Sequence, residues 1–306
     1  MEQASQARDP VAFLLPVLHR DGQRDRERSP CSCWAFDHQR AAESLDTVVE
    51  PDQPGAGGRV RATTTVVADE QDQPAVGDVG IDQYDGRVGL PRLLKMLDQQ
   101  GVPASFFVTG VTATLYPDVI KQIMASGRHE IGVHGWIHEN NTSVPPDEER
   151  RLVAKAITAL EGAMGKRPVG YRSPSWAFSG ATLDILRANN FLYDSGMMAD
   201  DEPYEILVGG QRTGLLEIPV EWMRDDAMYY PRSNPHSPNE VYEVWRAEFD
   251  KAYEEHGLFQ VTMHPRISGH RSRVAMLEKL ITYMKQRPGV WFGTHEQVAR
   301  HVKPAK

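Results

Sequence analysis

From residue 59 onward the chain alternates short β-branched or apolar runs with longer stretches of helical periodicity, and this alternation narrows the fold more than anything else. Residues 59–68, rich in Val and Thr, predict a first strand that ends at Asp69. Helical spacing over 90–97 is followed by Gly101, and 104–108 predicts a second strand. A helix over 115–124 stops at Gly127, and 129–133 predicts a third strand. The next helix opens at Pro146 and Asp147 and carries Val153, Ile157, Leu160 and Met164 on one face. Strands near 169–172, 191–193, 215–220, 258–263 and 290–292 alternate with helices near 181–188, 239–255 and 273–285, and a short helix ends the chain. Repeated β-α units imply a mostly parallel sheet, either closed into a barrel or open with helices on both faces.

Residues 1–58 have a different texture. Arg, Asp, Gln and Pro dominate, as in the run from Arg20 to Arg28, and no periodicity persists. They predict a poorly ordered or divergent extension, separated by the Gly/Pro cluster at 54–58 from a domain spanning 59–306.

Asp69, His134, Arg172, Asp194 and His264 all fall at or just beyond the carboxyl end of a predicted strand. Parallel α/β folds assemble their sites at that end. His134 and His138 are four residues apart in a loop that follows a strand, and neutral imidazole is a common ligand for zinc and similar divalent ions. The same spacing also fits two loop histidines bonded to backbone or water. A catalytic site on these two would need a third protein ligand, a carboxylate base and an acid to protonate a leaving nitrogen. His264, stiffened by Pro265, suits the acid. Arg172 suits a bidentate contact that orients the base, or else a structural ion pair. Asp225 or Asp226 is placed to pair with His264, and Trp176 and Trp222 either wall a pocket or belong to the core.

Composition restricts the partners. Of 306 residues 40% are hydrophobic and 25% charged, as in ordinary globular chains, and the formal net charge of −8 disfavours nucleic acid or an anionic membrane. The short apolar run at 11–18 is broken by Pro16 and does not read as a signal peptide. With only Cys31 and Cys33, too close for an ordinary disulfide, the expectation is a cytoplasmic protein. The acidic helices are compatible with a homo-oligomer, although no interface is legible.

The ordered set His134-Gly-Trp-Ile-His138, Arg172-Ser-Pro-Ser-Trp176, Tyr193-Asp194-Ser195, Pro219-Val-Glu-Trp222 with Asp225-Asp226, and Met263-His264-Pro265 resembles the motifs of the polysaccharide deacetylases, carbohydrate esterase family 4. It is most similar to the branch with peptidoglycan-deacetylase-like and cyclic-amide-hydrolase-like members, over roughly residue 83 to the C-terminus. The resemblance implies a distorted (β/α) barrel with a mostly parallel sheet. It implies zinc or a similar divalent ion held by His134 and His138, with His264 as the general acid beside Asp226. Trp176, Tyr193 and Trp222 are then candidates to line the substrate site. The family carries two aspartates one residue apart after the first strand. Here Asp69 matches the base, while the ligand position falls on Gln71 with Asp72 beside it; Asp72 is the expected third ligand. A rival placement at Asp37 also puts Gln second, at Gln39.

The expected activity is therefore metal-dependent hydrolysis of a non-peptide carbon–nitrogen bond, on an N-acetylated sugar or a small amide. Two alternatives use the same chain: opening of a cyclic imide or allantoin-type ring, with or without metal, and a catalytically weak barrel that binds a glycan or a partner.

Overall fold

The computed structural model describes residues 84–231 and 233–302 with their side chains, and the backbone of three short strands, 11–14, 17–19 and 35–36. The expected strand at 59–68, together with Asp37, Asp69, Gln71, Asp72 and both cysteines, lies outside the described residues.

Helices form where apolar spacing and punctuation agree. Helix α1 (Leu90–Gln100) has Pro91 in its first turn, where its missing N–H costs nothing, and buries Leu90, Leu93, Leu94 and Leu97. It stops at Gly101, whose left-handed φ of 62° lets its N–H close on Leu97 and Asp98 carbonyls. Pro117–Met124 (α3) is the helix expected over 115–124, while Gly110–Leu115 (α2), separated from it at Tyr116 ahead of Pro117, was not expected. Pro146–Met164 (α4) carries three acids in its first turn and ends at Gly165. Thr182–Ala188 (α5) is short. So is Asp226–Tyr229 (α6), whose N-terminus the Asp225 side chain caps. Pro238–Glu255 (α7) begins with a reciprocal capping box between Ser237 and Glu240. Pro265–Ser268 (α8), Arg271–Lys285 (α9) and His295–Val302 (α10) complete the helices described. None of them is long and apolar enough to cross a membrane.

Strands β1 (Val11–Leu14), β2 (Val17–His19) and β3 (Ala35–Phe36) lie inside the segment expected to lack regular structure. Then follow β4 (Ser105–Val108), β5 (Glu130–Val133), β6 (Gly170–Tyr171), β7 (Tyr193–Asp194), β8 (Tyr204–Val208), β9 (Gln211–Glu217), β10 (Leu258–Phe259), β11 (Thr262–Met263) and β12 (Val290–Phe292). The main sheet runs β11-β1-β4-β5-β6-β7-β9-β8-β3. Its centre, from β4 through β5, β6 and β7 to β9, is parallel. Strand β1 pairs antiparallel with both β4 and β11, so a piece of the N-terminal arm fills the slot between them. The hairpin β8–β9 is also antiparallel, and β8 was not expected from the sequence. An isolated bridge between Asp225 and Thr262 ties the segment after β9 back to β11, at the other end of the sheet. The result is a distorted (β/α) barrel, mostly parallel, with its ring closed at that seam.

Phe106, Val108, Ile131 and Val133 on β4 and β5 pack with Leu93, Leu97, Ile120, Ile157, Leu160 and Leu277 from the surrounding helices. Burial of each such aliphatic or aromatic side chain contributes about 1.5–3 kcal/mol. Gly170 is a steric requirement, because a β-carbon there would fall inside the ring of Tyr193 on the adjacent strand. That ring instead reaches Phe107 and His295, and its hydroxyl donates to Glu130 at 2.7 Å. Tyr193 is fully buried. The expectation that it contacts substrate is corrected: it leaves β7 on the face opposite Asp194 and belongs to the packed interior.

Candidate active site

The loop after β5 forms one half of the site. The His134 N–H continues the ladder to Val108 O at 3.1 Å, which fixes the direction in which its side chain leaves. Its Nδ1 lies 2.9 Å from the Arg172 carbonyl oxygen. A carbonyl only accepts, so Nδ1 carries the proton and Nε2 the lone pair. Burial pushes the His134 pKa down to about 3, with nearby Arg172 and His264 adding to the effect, and the ring is neutral at physiological pH. His138 adopts a left-handed φ of 63°, which folds its ring against that of His134. The ring centroids are 4.8 Å apart at 75°. Glu139, also buried, braces the turn: its carboxylate accepts the Trp136 N–H at 2.9 and 3.0 Å and the Ile137 N–H at 2.8 Å. Two buried imidazoles, one of them locked as a lone-pair donor through an outer hydrogen bond, fit two of the ligand positions a divalent ion would take.

Arg172 follows β6 and is fully buried. Its Nε donates to Ser195 O at 2.6 Å, one terminal nitrogen to Ser195 Oγ at 2.6 Å, and the other to Thr262 Oγ1 at 3.1 Å. The guanidinium also sits 4.8 Å from the centre of the Phe107 ring. Burial lowers its pKa to about 10, which still leaves it charged. The carboxylate base that Arg172 was expected to orient, Asp69, lies outside the described residues. Ser195 Oγ in turn donates to Ile218 O at 2.7 Å, so one serine ties the ends of β6, β7 and β9 together.

The other half is His264, just after β11. Its Nδ1 lies 2.6 Å from Asp226 Oδ1, and its backbone N–H donates to Asp226 Oδ2 at 2.9 Å. Ser268 Oγ adds a 2.5 Å bond to Oδ2. The carboxylate fixes the Nδ1–H tautomer and turns Nε2 outward. Asp225, Asp226 and His264 are close enough together to hold a cation. However, both Asp226 oxygens already accept from His264 and Ser268, so a carboxylate–imidazole pair is the better description. Asp225 Oδ1 accepts the Ala227 N–H at 2.7 Å and stands 3.7 Å from His264 Nδ1. Burial pushes the Asp225 carboxyl up to about 6.

Two imidazoles with the chemistry of ligands and a third bound to a carboxylate are what the sequence resemblance anticipates. A family model for polysaccharide deacetylase matches residues 80–193. A peptidoglycan deacetylase of Helicobacter pylori (strain ATCC 700392 / 26695) is 30% identical over 253 residues, which cover 72% of this chain and 86% of that one. The chain belongs to the polysaccharide deacetylase family. Among solved structures, a putative polysaccharide deacetylase from Mycobacterium smegmatis is 33% identical with a TM-score of 0.70, covering 88% of each chain. Puue allantoinase is 27% identical with a TM-score of 0.67, covering 76% of this chain and 79% of its own. Members of the family hydrolyse carbon–nitrogen bonds other than peptide bonds.

In this deacetylase-family barrel the segment that follows Arg172 leads to a pair of tryptophans. Ser175 and Trp176 both adopt left-handed backbone, with φ 54° and 55°, a strained pair of the kind that clusters at functional sites. Their turn sets the Trp176 ring against Trp222, with centroids 4.5 Å apart at 59°. Trp222 is 42% exposed and Trp176 half-buried, so neither is core. Glu139, Ser195, Thr262 and Ser268 were not singled out from the sequence as site residues. Glu139 carried a signal, as an acid directly after a His-x-x-x-His loop. The others are ordinary hydroxyl residues until the barrel brings the strand ends together.

Proposed function

We propose that the protein hydrolyses an N-acetyl group on an amino sugar or amino-sugar polymer, using zinc or a similar divalent ion. The observation that carries this reading is the pairing of a neutral, lone-pair-presenting His134, with the His138 ring set against it, and a carboxylate-held His264. His134 and His138 would hold the ion, with Asp72 as the third ligand and Asp69 as the base. When bound, the ion supplies Lewis acidity and a nucleophile derived from water at neutral pH. His264, fixed through Nδ1 by Asp226, presents Nε2 to the amide nitrogen and delivers the proton that lets it leave as an amine. Arg172 keeps the β6 and β7 ends and β11 in register beneath the reacting group. Trp176 and Trp222 offer flat apolar faces suited to a sugar ring.

The test is acetate release from N-acetylglucosamine oligomers by zinc-loaded protein, beside His134→Ala and His264→Ala. Loss of zinc and turnover in the first, and of turnover alone in the second, is the expected result. Full turnover in His264→Ala would remove it from the role of acid. The likeness to Puue allantoinase favours one second reading, opening of a small cyclic amide. Ring opening without acetate release in the same assay would select it.

A further inference from the structure

A single row of side chains crosses four strands behind the site. Tyr171 on β6 is the register partner of Asp194 on β7, which partners Glu217 on β9, which partners Tyr204 on β8. Register partners leave a sheet on the same face, so the two acids lie side by side with a tyrosine beyond each. Both acids are fully buried. Glu217 Oε1 accepts the N–H groups of Gly196 and Met197, each at 2.9 Å. The second Glu217 oxygen and both Asp194 oxygens lack a partner of good hydrogen-bond geometry, although the Ser195 and Gly196 N–H groups lie near enough to Asp194 to favour its charged form. Arg172, the cation whose charge acts on both acids from the next position along the chain after Tyr171, directs its donors at Ser195 and Thr262. Two ionised carboxylates cannot stand together in such a place without a donor between them. One proton resolves the conflict: carried on Glu217 Oε2, it donates to Asp194 and leaves Oε1 free to accept its two backbone N–H groups.

We propose that Asp194 and Glu217 share one proton, and that this singly charged pair is the positioning device for Arg172. It anchors residues 196–197, directly after the serine that holds the guanidinium, and it supplies one negative charge opposite one positive charge. Burial raises the Glu217 carboxyl well above the ordinary carboxylate range, and Asp194 beside it adds to the shift. Tyr171 and Tyr204 face the pair as neutral phenols, since burial pushes both up. Asp225, across Arg172, is the remaining acid that acts on the guanidinium from the β9–α6 side. The inference concerns the charge state of the pair, so it stands or falls separately from the substrate assigned above.

The experiment uses the full chain and requires no substrate. Infrared difference spectra at pH 7.5 between wild type and Glu217→Gln, and between wild type and Asp194→Asn, should each show loss of one un-ionised carboxyl band. A wild-type minus Glu217→Gln spectrum showing loss of an ionised carboxylate band instead would overturn the proposal. Either amide variant mimics the shared-proton state, so the slowly exchanging Arg172 Nε–H signal in NMR should persist in both. It should be lost in Glu217→Ala and in the double variant Asp194→Asn/Glu217→Gln, which has no charge opposite Arg172. If the double variant retained that signal, the pair would not be positioning Arg172. The pH profile gives a further reading. A raised folded pKa means that the stability contributed by the proton is present below the ordinary value and lost as pH rises above it. Wild type should therefore lose stability relative to Glu217→Gln as pH rises from about 4.5, the ordinary range for a glutamate. Parallel profiles would contradict a shared proton.

Discussion

The two halves of the site use the same residue for opposite purposes, and the difference lies in what accepts the Nδ1–H. His134 gives that proton to a neutral backbone carbonyl, in a buried setting that keeps the ring uncharged. His264 gives it to Asp226, a carboxylate that also receives the His264 backbone N–H and a serine hydroxyl. A neutral acceptor yields a ring that presents a lone pair to a cation. A charged acceptor yields a ring ready to carry a second proton. The partner of the remote nitrogen decides the chemistry of the near one.

The sharpest way to break the comparison is to remove one ring from each half. His134→Ala or His138→Ala should abolish zinc uptake, seen by calorimetric titration, and turnover with it. His264→Ala should bind zinc as wild type does and lose turnover by about 100- to 10,000-fold, the usual contribution of a positioned acid. Next comes the acceptor. Asp226→Asn keeps the shape but offers His264 an amide, and kcat should fall by about 100-fold or more, with zinc affinity unchanged. Equal loss of zinc binding would mean that Asp226 serves the ion. On the opposite half, Glu139→Gln weakens the brace under the Trp136–Ile137 turn. Zinc affinity should drop by about 10- to 100-fold, as outer-sphere changes do, while kcat at saturating zinc changes less.

The smallest effect concerns Asp225. Burial raises its carboxyl to about 6, so the stability contributed by its proton is present below the ordinary aspartate range, about 4, and is lost as pH rises through 6. Asp225→Asn should flatten that part of the profile of melting temperature against pH, by a few degrees at most. A profile superimposable on wild type would show that Asp225 is ionised throughout.

Much of this was legible in the sequence because strands and helices advertise themselves by period. The strands that deliver His134, Arg172 and His264 were expected within a residue or two of where they lie, and strand ends are where α/β sites form. The pairing of His264 with one of two adjacent acids was expected, with Asp226 favoured. Strand β1 was not. Its four residues follow Asp9-Pro10 inside a highly polar arm, and only tertiary pairing with β4 and β11 reveals a strand there. Tyr193 misled for a related reason: it shares a face with Arg172 and Ser195, but one layer deeper, where Phe107 and His295 enclose its ring in the barrel interior. The carboxyl pair was beyond reach, since Asp194 and Glu217 become neighbours only through the register of two parallel strands.

The seam at Asp225–Thr262 has a consequence for the order of assembly. The bonds that complete the site span long stretches of chain, 38 residues from Asp226 to His264 and 90 from Arg172 to Thr262. Long loops close late, because their entropy must be overcome before the contacts repay it. The strand that brings Thr262 to Arg172 also brings His264 to Asp226, so ring closure and the birth of the acid are one event. With His264 as the acid proposed above, a barrel whose β11 has not docked would lack the His264–Asp226 pair, and hydrolytic competence would report that β11 is in place.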